Sequence, residues 1–297
     1  MANIVSNSEA PDYPMSWQVY IAVAVLLLSV SILLQRIILH RYKVDDVAFA
    51  GMFQLSVATV MLPWVFANGI SFAGYSSQWF AVGLCTACFG VGSVVYAKTL
   101  KHIDASVFSV LFATQAIWII LAGIWLYNER LSWLQLAGGI LVFGSIVLLS
   151  ESRQVFRRRK GVVYGLITGF LFGIAIASSA YVVRNVEPIT WIWFSFVLGG
   201  IGSLMVQPSK IPLCKNLIRG KVLRLLIILA VIYALGNAAM NYAYLYGPFS
   251  LVAPIRQAGI IVTALLAFAF MRSERTNIAR KLTAAAMCTF GVILLVI

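Results

Sequence analysis

The sequence Gly236-Asn-Ala-Ala-Met-Asn-Tyr-Ala-Tyr-Leu-Tyr-Gly-Pro-Phe-Ser-Leu-Val-Ala-Pro-Ile-Arg-Gln257 is a polar stretch within a strongly apolar chain. When the helix repeat is extended one turn before it, one helix face carries Tyr233, Asn237, Asn241 and Tyr244. Hydroxyl and amide groups in hydrocarbon are costly unless they face protein or water. This face therefore predicts a polar cavity, and hydrogen bonds between neighbouring helices are the alternative explanation.

Part of this stretch has a counterpart earlier in the chain. Gly90-Val-Gly-Ser-Val-Val-Tyr-Ala97 aligns with the segment that starts at Gly236, and Thr114-Gln-Ala116 aligns with Arg256-Gln-Ala258. Each half then continues through an apolar run to a Glu-Arg pair. The chain therefore reads as two copies of one unit of roughly 145 residues, which is the size of a domain.

The composition indicates the class of protein. Apolar residues make up 62% of the 297 positions and charged residues 10%, whereas soluble domains carry about 25% charged residues. Ten segments are long enough to cross a hydrocarbon core of about 30 Å as helices. They cover residues 17–39, 47–66, 79–97, 105–127, 131–149, 162–183, 189–206, 225–246, 250–271 and 282–297. We therefore expect an all-α polytopic membrane protein with ten transmembrane helices.

The ten predicted helices divide into two groups of five. We expect an N-terminal tail over residues 1–16, a first five-helix repeat over 17–150, a basic linker over 151–161 and a second repeat over 162–297. Because five is an odd number, the second repeat should enter the membrane in the opposite orientation to the first. Transporters built from such inverted repeats bind their substrate near the bilayer midplane, in a central cavity at the repeat interface.

The distribution of basic residues predicts the orientation in the membrane. The loops after the odd-numbered predicted helices hold 19 Lys and Arg residues, and the loops after the even-numbered ones hold Arg130 and Arg184. Basic loops face the cytoplasm, so both termini should face outward. The same rule explains the net charge of +13, and we expect no nucleic-acid partner.

Paired turns carry a resemblance to a known family. Asn128-Glu-Arg-Leu131 leads into the fifth predicted helix, and Ser273-Glu-Arg-Thr276 precedes the tenth. Small or polar residues follow the two turns at Gln135, Gly138, Gly139, Gly144 and Gly291. Together with the length, the helix count and the duplication, these turns make residues 17–297 resemble the EamA domain pair of the drug/metabolite transporter superfamily.

The resemblance implies a ten-helix fold whose first, third, fourth, sixth, eighth and ninth helices line a central cavity, with the fifth and tenth outside. Members of this family move amino acids, nucleotide sugars, cationic drugs and other small metabolites. We accordingly expect an integral protein of a prokaryotic plasma (inner) membrane. Two features depart from the family pattern: the loop 67–78 is uncharged, which reverses the orientation, and the first helix lacks a Trp-Gly-like start.

Four further residues are candidates for substrate contact. Gln115 and Trp118 lie three residues apart in the fourth predicted helix, where they could supply an amide and an aromatic wall or simply pack between helices. Arg256 and Gln257 lie about two turns into the ninth predicted helix. Because no Asp or Glu lies within a predicted helix, we expect Arg256 to select a carboxylate or phosphate group. Its alternative role is to extend its long side chain to water at the helix end.

Enzymatic and ATP-driven chemistry have no candidate residues. The two histidines, His40 and His102, lie at the edges of loops, so no metal cluster or Ser-His-Asp arrangement is visible. No glycine-rich phosphate-binding motif with a Lys occurs. We therefore expect no catalytic residue, no metal site, no cofactor and no enzymatic activity.

These features predict a secondary transporter that exports a small polar organic metabolite, such as an amino acid or related carboxylate, by alternating access. Within the same class, the alternative is a sugar-nucleotide or lipid-linked sugar translocator. The alternative of another class is a membrane scaffold or receptor that transports nothing. The expected partners are a small-molecule substrate and the lipid bilayer, and a monomer is compatible with this fold.

The orientation can be tested with a reporter that fluoresces only in the cytoplasm. A fusion at the C-terminus should stay dark, because the bias of basic residues places both termini outside. A truncated fusion within the basic linker, after residue 155, should be bright and serves as the control. A bright C-terminal fusion would show that the orientation is wrong and would leave the predicted fold untouched.

Overall fold

A computed structural model of the chain describes residues 17–119, 121, 132–150, 159–183, 185–246, 255–256, 258–271 and 277–296. Several sequence-based predictions fall outside these residues: the tail 1–16, the Glu-Arg turns at 128–131 and 273–276, Gln257 and the side chain of Tyr244. Within the described ranges the chain is helical and contains no strand.

The helices follow one another through short connections. They are α1 (Trp17–Arg41), α2 (Asp46–Asn68), α3 (Trp79–His102), α4 (Ala105–Phe112), α5 (Trp133–Ser150), α6 (Arg159–Val183), α7 (Pro188–Met205), α8 (Gly220–Tyr246), α9 (Gly259–Phe270) and α10 (Ile278–Val296). Residues 115–119 are helical again after a turn that follows α4. Short 3-10 helices, Tyr75–Ser77 and Pro208–Asn216, precede α3 and α8.

Seven of these helices are long and apolar enough to cross a membrane, namely α1, α2, α3, α6, α7, α8 and α10. Three segments are shorter apolar helices: Ala105–Ile119, Trp133–Leu148 and Gly259–Phe270. The predicted class, an all-helical membrane protein, is therefore confirmed. The count of ten spans stays a prediction, because the three shorter helices do not reach the length of a span. The inverted orientation of the second repeat likewise stays a prediction.

At the end of the bundle that carries most basic residues, the helices are longer than predicted. Helix α1 continues to Arg41, α3 continues to His102, and α8 begins at Gly220. Lys101 and Lys281, which we expected in loops, are therefore helical. A helix need not end where its apolar run ends, because long basic side chains can pair or reach water from the last turn.

Capping residues mark where helices start and stop. The Asp45 carboxylate accepts hydrogen bonds from the amides of Val47 and Ala48 at 3.0 and 3.3 Å and so begins α2. Glu187 caps α7 in the same way, and Pro188 occupies the first helical position, where no amide hydrogen is needed. Helix α2 ends at Gly69, whose φ of +81° suits a residue without a side chain.

The two halves interlock through pairs of helices. Helix α1 packs along α8 and α3 along α6, while α2 packs on α7 and α5 on α10. If each helix of the first half is exchanged with its counterpart in the second, this set of pairs stays the same. That contact pattern is the one expected of two related repeats.

Glycines permit two of the contacts between halves. A Cβ atom added to Gly90 of α3 would lie 2.8 Å from the carbonyl carbon of Gly202 in α7. A Cβ atom added to Gly138 of α5 would lie 2.5 Å from the carbonyl oxygen of Gly291 in α10. Helices in lipid associate largely through van der Waals packing, so residues that let two backbones touch stabilise the fold.

The contact between α5 and α10 can be tested with two adjacent glycines. Gly138→Ala should lower the free energy of unfolding by about 1–3 kcal/mol, because the added methyl group must displace the α10 backbone. Gly139→Ala is the control, since its added Cβ atom would lie 4.0 Å from its nearest neighbour, a Leu295 methyl group. Unfolding followed by circular dichroism in detergent measures both. Equal stabilities would show that the backbones are not in contact.

Candidate functional site

Three polar side chains of α8 lie on one face near the middle of the helix. The Nδ2 group of Asn237 donates a hydrogen bond to the Tyr233 carbonyl oxygen at 2.9 Å, and the Nδ2 group of Asn241 donates to the Asn237 carbonyl oxygen at 2.9 Å. Both amides are thus bound within their own helix and not to neighbouring helices. The Asn237 side chain also lies within hydrogen-bonding range of the Tyr233 hydroxyl group. Because an amide oxygen can accept two hydrogen bonds, both Asn side chains keep acceptor capacity for a ligand.

Tyr233 of α8 and Tyr96 of α3 meet in the space between their two helices. Their hydroxyl groups lie within electrostatic range of each other, and both rings lie deep in the protein yet keep accessible surface. Phe53 of α2 and Phe196 of α7 form aromatic walls, with ring centroids 5.1 and 5.9 Å from that of Tyr233.

Gln35 of α1 brings a third helix to this space. It is 2% exposed, and its side chain lies beside the Tyr96 hydroxyl group. We call Gln35, Tyr96, Tyr233, Asn237 and Asn241 the central cluster. Gln35 and Tyr96 were not predicted from the sequence as site residues, although two signals were present: an amide deep within the apolar segment 17–39, and the alignment of Tyr96 with Tyr242.

Arg256 lies in a short helical segment before α9 and its side chain is exposed. Its guanidinium group lies within electrostatic range of the Tyr233 hydroxyl group. It forms no ion pair or hydrogen bond with any described residue. A guanidinium group with open donors beside a polar cluster is available to an anionic ligand. The support expected from Gln257 lies outside the described residues.

Gln115 and Trp118 contact α6, and the structure does not bring them to the α8 face. The Trp118 ring packs edge-on against Phe170, with centroids 4.8 Å apart. The Gln115 backbone lies against Gly169, and the Gln115 Oε1 atom is buried without a partner among the described residues. This packing favours the alternative role for Trp118, a ring packed between helices. Substrate contact by either residue stays a prediction.

We call the end of the bundle where α1 and α3 finish and α10 begins the basic end. At this end the Asp104 carboxylate links the turn between α3 and α4 to α1 and to α10. Its Oδ1 atom accepts a hydrogen bond from Arg36 of α1 at 2.9 Å, and its Oδ2 atom accepts one from Lys281 of α10 at 2.6 Å. Both cationic side chains are buried, 4% and 6% exposed. Sequence analysis overlooked this carboxylate because Asp104 lies in a turn, and only the packing of α1 and α10 buries it.

Two adjacent aspartates at the basic end form similar ion pairs with different partners. Asp45 pairs with Lys210 of the second half at 2.9 Å, whereas Asp46 pairs with Lys101 of the first half at 3.0 Å. Burial by itself would raise the pKa of Asp45. The hydrogen bonds from Lys210 and from the α2 amides outweigh burial and hold this pKa below its usual value, so the carboxylate is ionised at neutral pH.

Aromatic rings cluster at the opposite end of the bundle. Tyr20 of α1 lies 5.6 Å from Tyr242 and 6.3 Å from Tyr246 of α8, measured between ring centroids. Trp64 of α2 lies 6.4 Å from Tyr242. Tyr and Trp side chains are typical of the membrane–water interface. The central cluster thus lies between an aromatic end and a charged end.

A metal site in a protein is usually built from several His, Cys, Asp or Glu side chains that lie close together. Among the described residues, no three His, Cys, Asp or Glu side chains come together as a potential metal site. The four cysteines are buried free thiols. That the protein uses neither metal nor cofactor stays a prediction from the sequence.

Comparisons with known proteins address the class of protein and its fold. The sequence profile of the EamA-like transporter family matches residues 15–151 and again residues 159–297. A solved structure described as "Crystal structure of protein" is similar over 94% of this chain and 96% of that chain, with a TM-score of 0.60 and 14% sequence identity. At this identity the similarity concerns the fold alone. No curated protein sequence matches the chain.

Proposed function

The chain belongs to the EamA-like transporter family, and from this membership we propose that it is a secondary transporter for a small polar metabolite with an anionic group. The substrate class that we favour is an amino acid or a related carboxylate, bound at the central cluster. Transport proceeds by alternating access between the two halves, as in other transporters built from repeats.

Our choice of substrate class is based on the surroundings of Arg256. Its guanidinium group is exposed, lies near Tyr233 and has no anionic partner among the described residues. A substrate carboxylate can bind this guanidinium group through two parallel hydrogen bonds. The Oδ1 atoms of Asn237 and Asn241 can accept hydrogen bonds from an ammonium or hydroxyl group on the same substrate. A single cation beside neutral amides and phenols suits a ligand with one anionic group.

Ion pairs between the halves support a mechanism of alternating access. The pairs Asp104–Lys281 and Asp45–Lys210 each join the first half of the chain to the second at the basic end. While they are formed, the two halves are held together there and the basic end is closed. By the positive-inside rule this end faces the cytoplasm. Opening the central cluster to the cytoplasm then requires these pairs to break.

Thermal unfolding in the presence of a metabolite panel tests the substrate class. Amino acids and other carboxylates should stabilise the purified protein, since a ligand present at 100 times its dissociation constant contributes about 2.7 kcal/mol. Arg256→Ala should weaken this binding about 10- to 100-fold, because a hydrogen-bonded charge contributes roughly 1.5–3 kcal/mol. The affinity of Arg256→Lys should lie between those of the parent protein and Arg256→Ala, because Lys keeps the charge but lacks the planar guanidinium group.

Arg219→Ala is the matched control, because Arg219 is an exposed arginine at the basic end, just before α8 and far in sequence from the α8 residues of the central cluster. It should bind the ligand as the parent protein does. Stabilisation by cations alone, or unchanged affinity in Arg256→Ala, would contradict the assignment of Arg256. If no metabolite stabilises the protein, a scaffold or receptor becomes the better explanation. If sugar nucleotides alone do so, the alternative transporter class is favoured.

Substitutions of Asp45 and Asp46 test whether the ion pair between the halves keeps the basic end closed. Asp45→Asn keeps the helix cap but removes the ion pair between halves, so the basic end should open more often, by about two- to five-fold for a pair worth up to about 1 kcal/mol. The readout is the labelling rate of Ser106→Cys by a membrane-impermeant maleimide applied from the basic side. Ser106 is 2% exposed in the first turn of α4, and the four native cysteines are replaced by Ala.

Asp46→Asn is the control, because it breaks an ion pair of nearly the same length, 3.0 Å against 2.9 Å, within one half. The two aspartate side chains are also similarly exposed, 21% and 18%. It should leave the labelling rate unchanged. If both variants accelerate labelling equally, the effect is local loosening of the α2 start and the pair between halves has no special role.

A further inference from the structure

A groove runs along the outer surface of the bundle between α3 and α7. The two helices touch where Gly90 faces Gly202, and beside this contact the groove has a volume of about 680 Å³. One wall extends from Trp79 to Val91 on α3, and the other extends from Phe194 on α7 to Val206, the residue that follows α7. Both helices are candidate membrane spans, so the groove opens towards lipid.

The dimensions of the groove fit one acyl chain. Twelve helical steps from Trp79 to Val91 give a length of about 18 Å, close to the thickness of one leaflet in a hydrocarbon core of about 30 Å. The volume of about 680 Å³ is spread over this length, so the groove is long and narrow.

The outer end of the groove is polar. Tyr75 lines it at this end, and the Tyr75 hydroxyl group is buried without a hydrogen-bond partner among the described residues. The Oε1 atom of Gln78, which is in the next turn and 8% exposed, is likewise buried and without a partner. Burial and the nearby Glu187 carboxylate raise the pKa of Tyr75 to about 12, so its hydroxyl group is a donor at neutral pH.

We propose that this groove binds a diacyl phospholipid of the surrounding bilayer, with one acyl chain along α3 and α7 and the glycerol ester beside Tyr75. The apolar walls match the chain, and an ester carbonyl oxygen would accept the hydrogen bond that the Tyr75 hydroxyl group lacks. Trp79 at the rim is 74% exposed, which suits a side chain at the level of the lipid headgroups. The proposal concerns the outside of the bundle and is independent of the transported substrate.

Gly83 offers a way to fill the groove without disturbing the fold. It lies in the α3 wall, and a Cβ atom added to it would meet nothing within 4 Å. Gly83→Trp should therefore occupy the space of the acyl chain. Gly139→Trp on α5 is the matched control, since its added Cβ atom would also be almost without contact, 4.0 Å from Leu295. Equal melting temperatures of the two variants would show that both are folded.

The measurement is native mass spectrometry of the protein released from its membrane in mild detergent. The parent protein and Gly139→Trp should retain one phospholipid more than Gly83→Trp, and Tyr75→Phe should retain that lipid at several-fold lower occupancy. Equal lipid retention in Gly83→Trp and Gly139→Trp would overturn the proposal. It would also be overturned if only detergent adducts are found, or if Gly83→Trp converts a dimer to a monomer, which would identify a second copy of the chain as the occupant.

Discussion

The close approach of helix backbones from the two halves is the constraint on which the rest of this structure depends. Lipid chains are as apolar as the side chains that face them, so no hydrophobic effect drives one membrane helix onto another. Contact must come from packing, and Gly90 with Gly202 and Gly138 with Gly291 let the backbones touch. The α3–α7 contact also sets the floor of the outer groove and places Tyr96 beside the helices that carry the other polar groups.

The side chains change from paired charges at the basic end to neutral amides and phenols in the central cluster. This change relates the fold to the transport that we propose. Buried charges are costly unless paired, and at the basic end Asp104 satisfies two cations that come from different halves. The central cluster instead uses neutral amides and phenols, which can stay partly unpaired at a smaller cost. Arg256 adds a single charge there. In the mechanism that we propose, a site of this kind can release its ligand, whereas the ion pairs at the basic end hold the halves together until they separate.

The α8 residues show which part of the candidate site could be predicted from helical spacing in the sequence. Tyr233, Asn237 and Asn241 were assigned from helical spacing, and the helix exists where the spacing requires it. Gln35 and Tyr96 were not assigned, because neither belongs to a polar stripe on its own helix and each becomes part of a cluster only when α1, α3 and α8 meet. Trp118 was assigned from spacing on a helix that is interrupted at residues 113–114, and its ring packs on α6.

The sequence by itself determined the membrane class, the approximate positions of the helices and the duplication that the family profile matches twice. These properties depend on composition and local periodicity, which do not require knowledge of distant contacts. Only the tertiary structure decided which charges pair. Asp45 and Asp46 are neighbours in the chain with partners in different halves, and Asp104 is buried although it lies in a turn. The physical reason is that burial and ion pairing depend on which helices pack together, and local sequence patterns do not specify that packing.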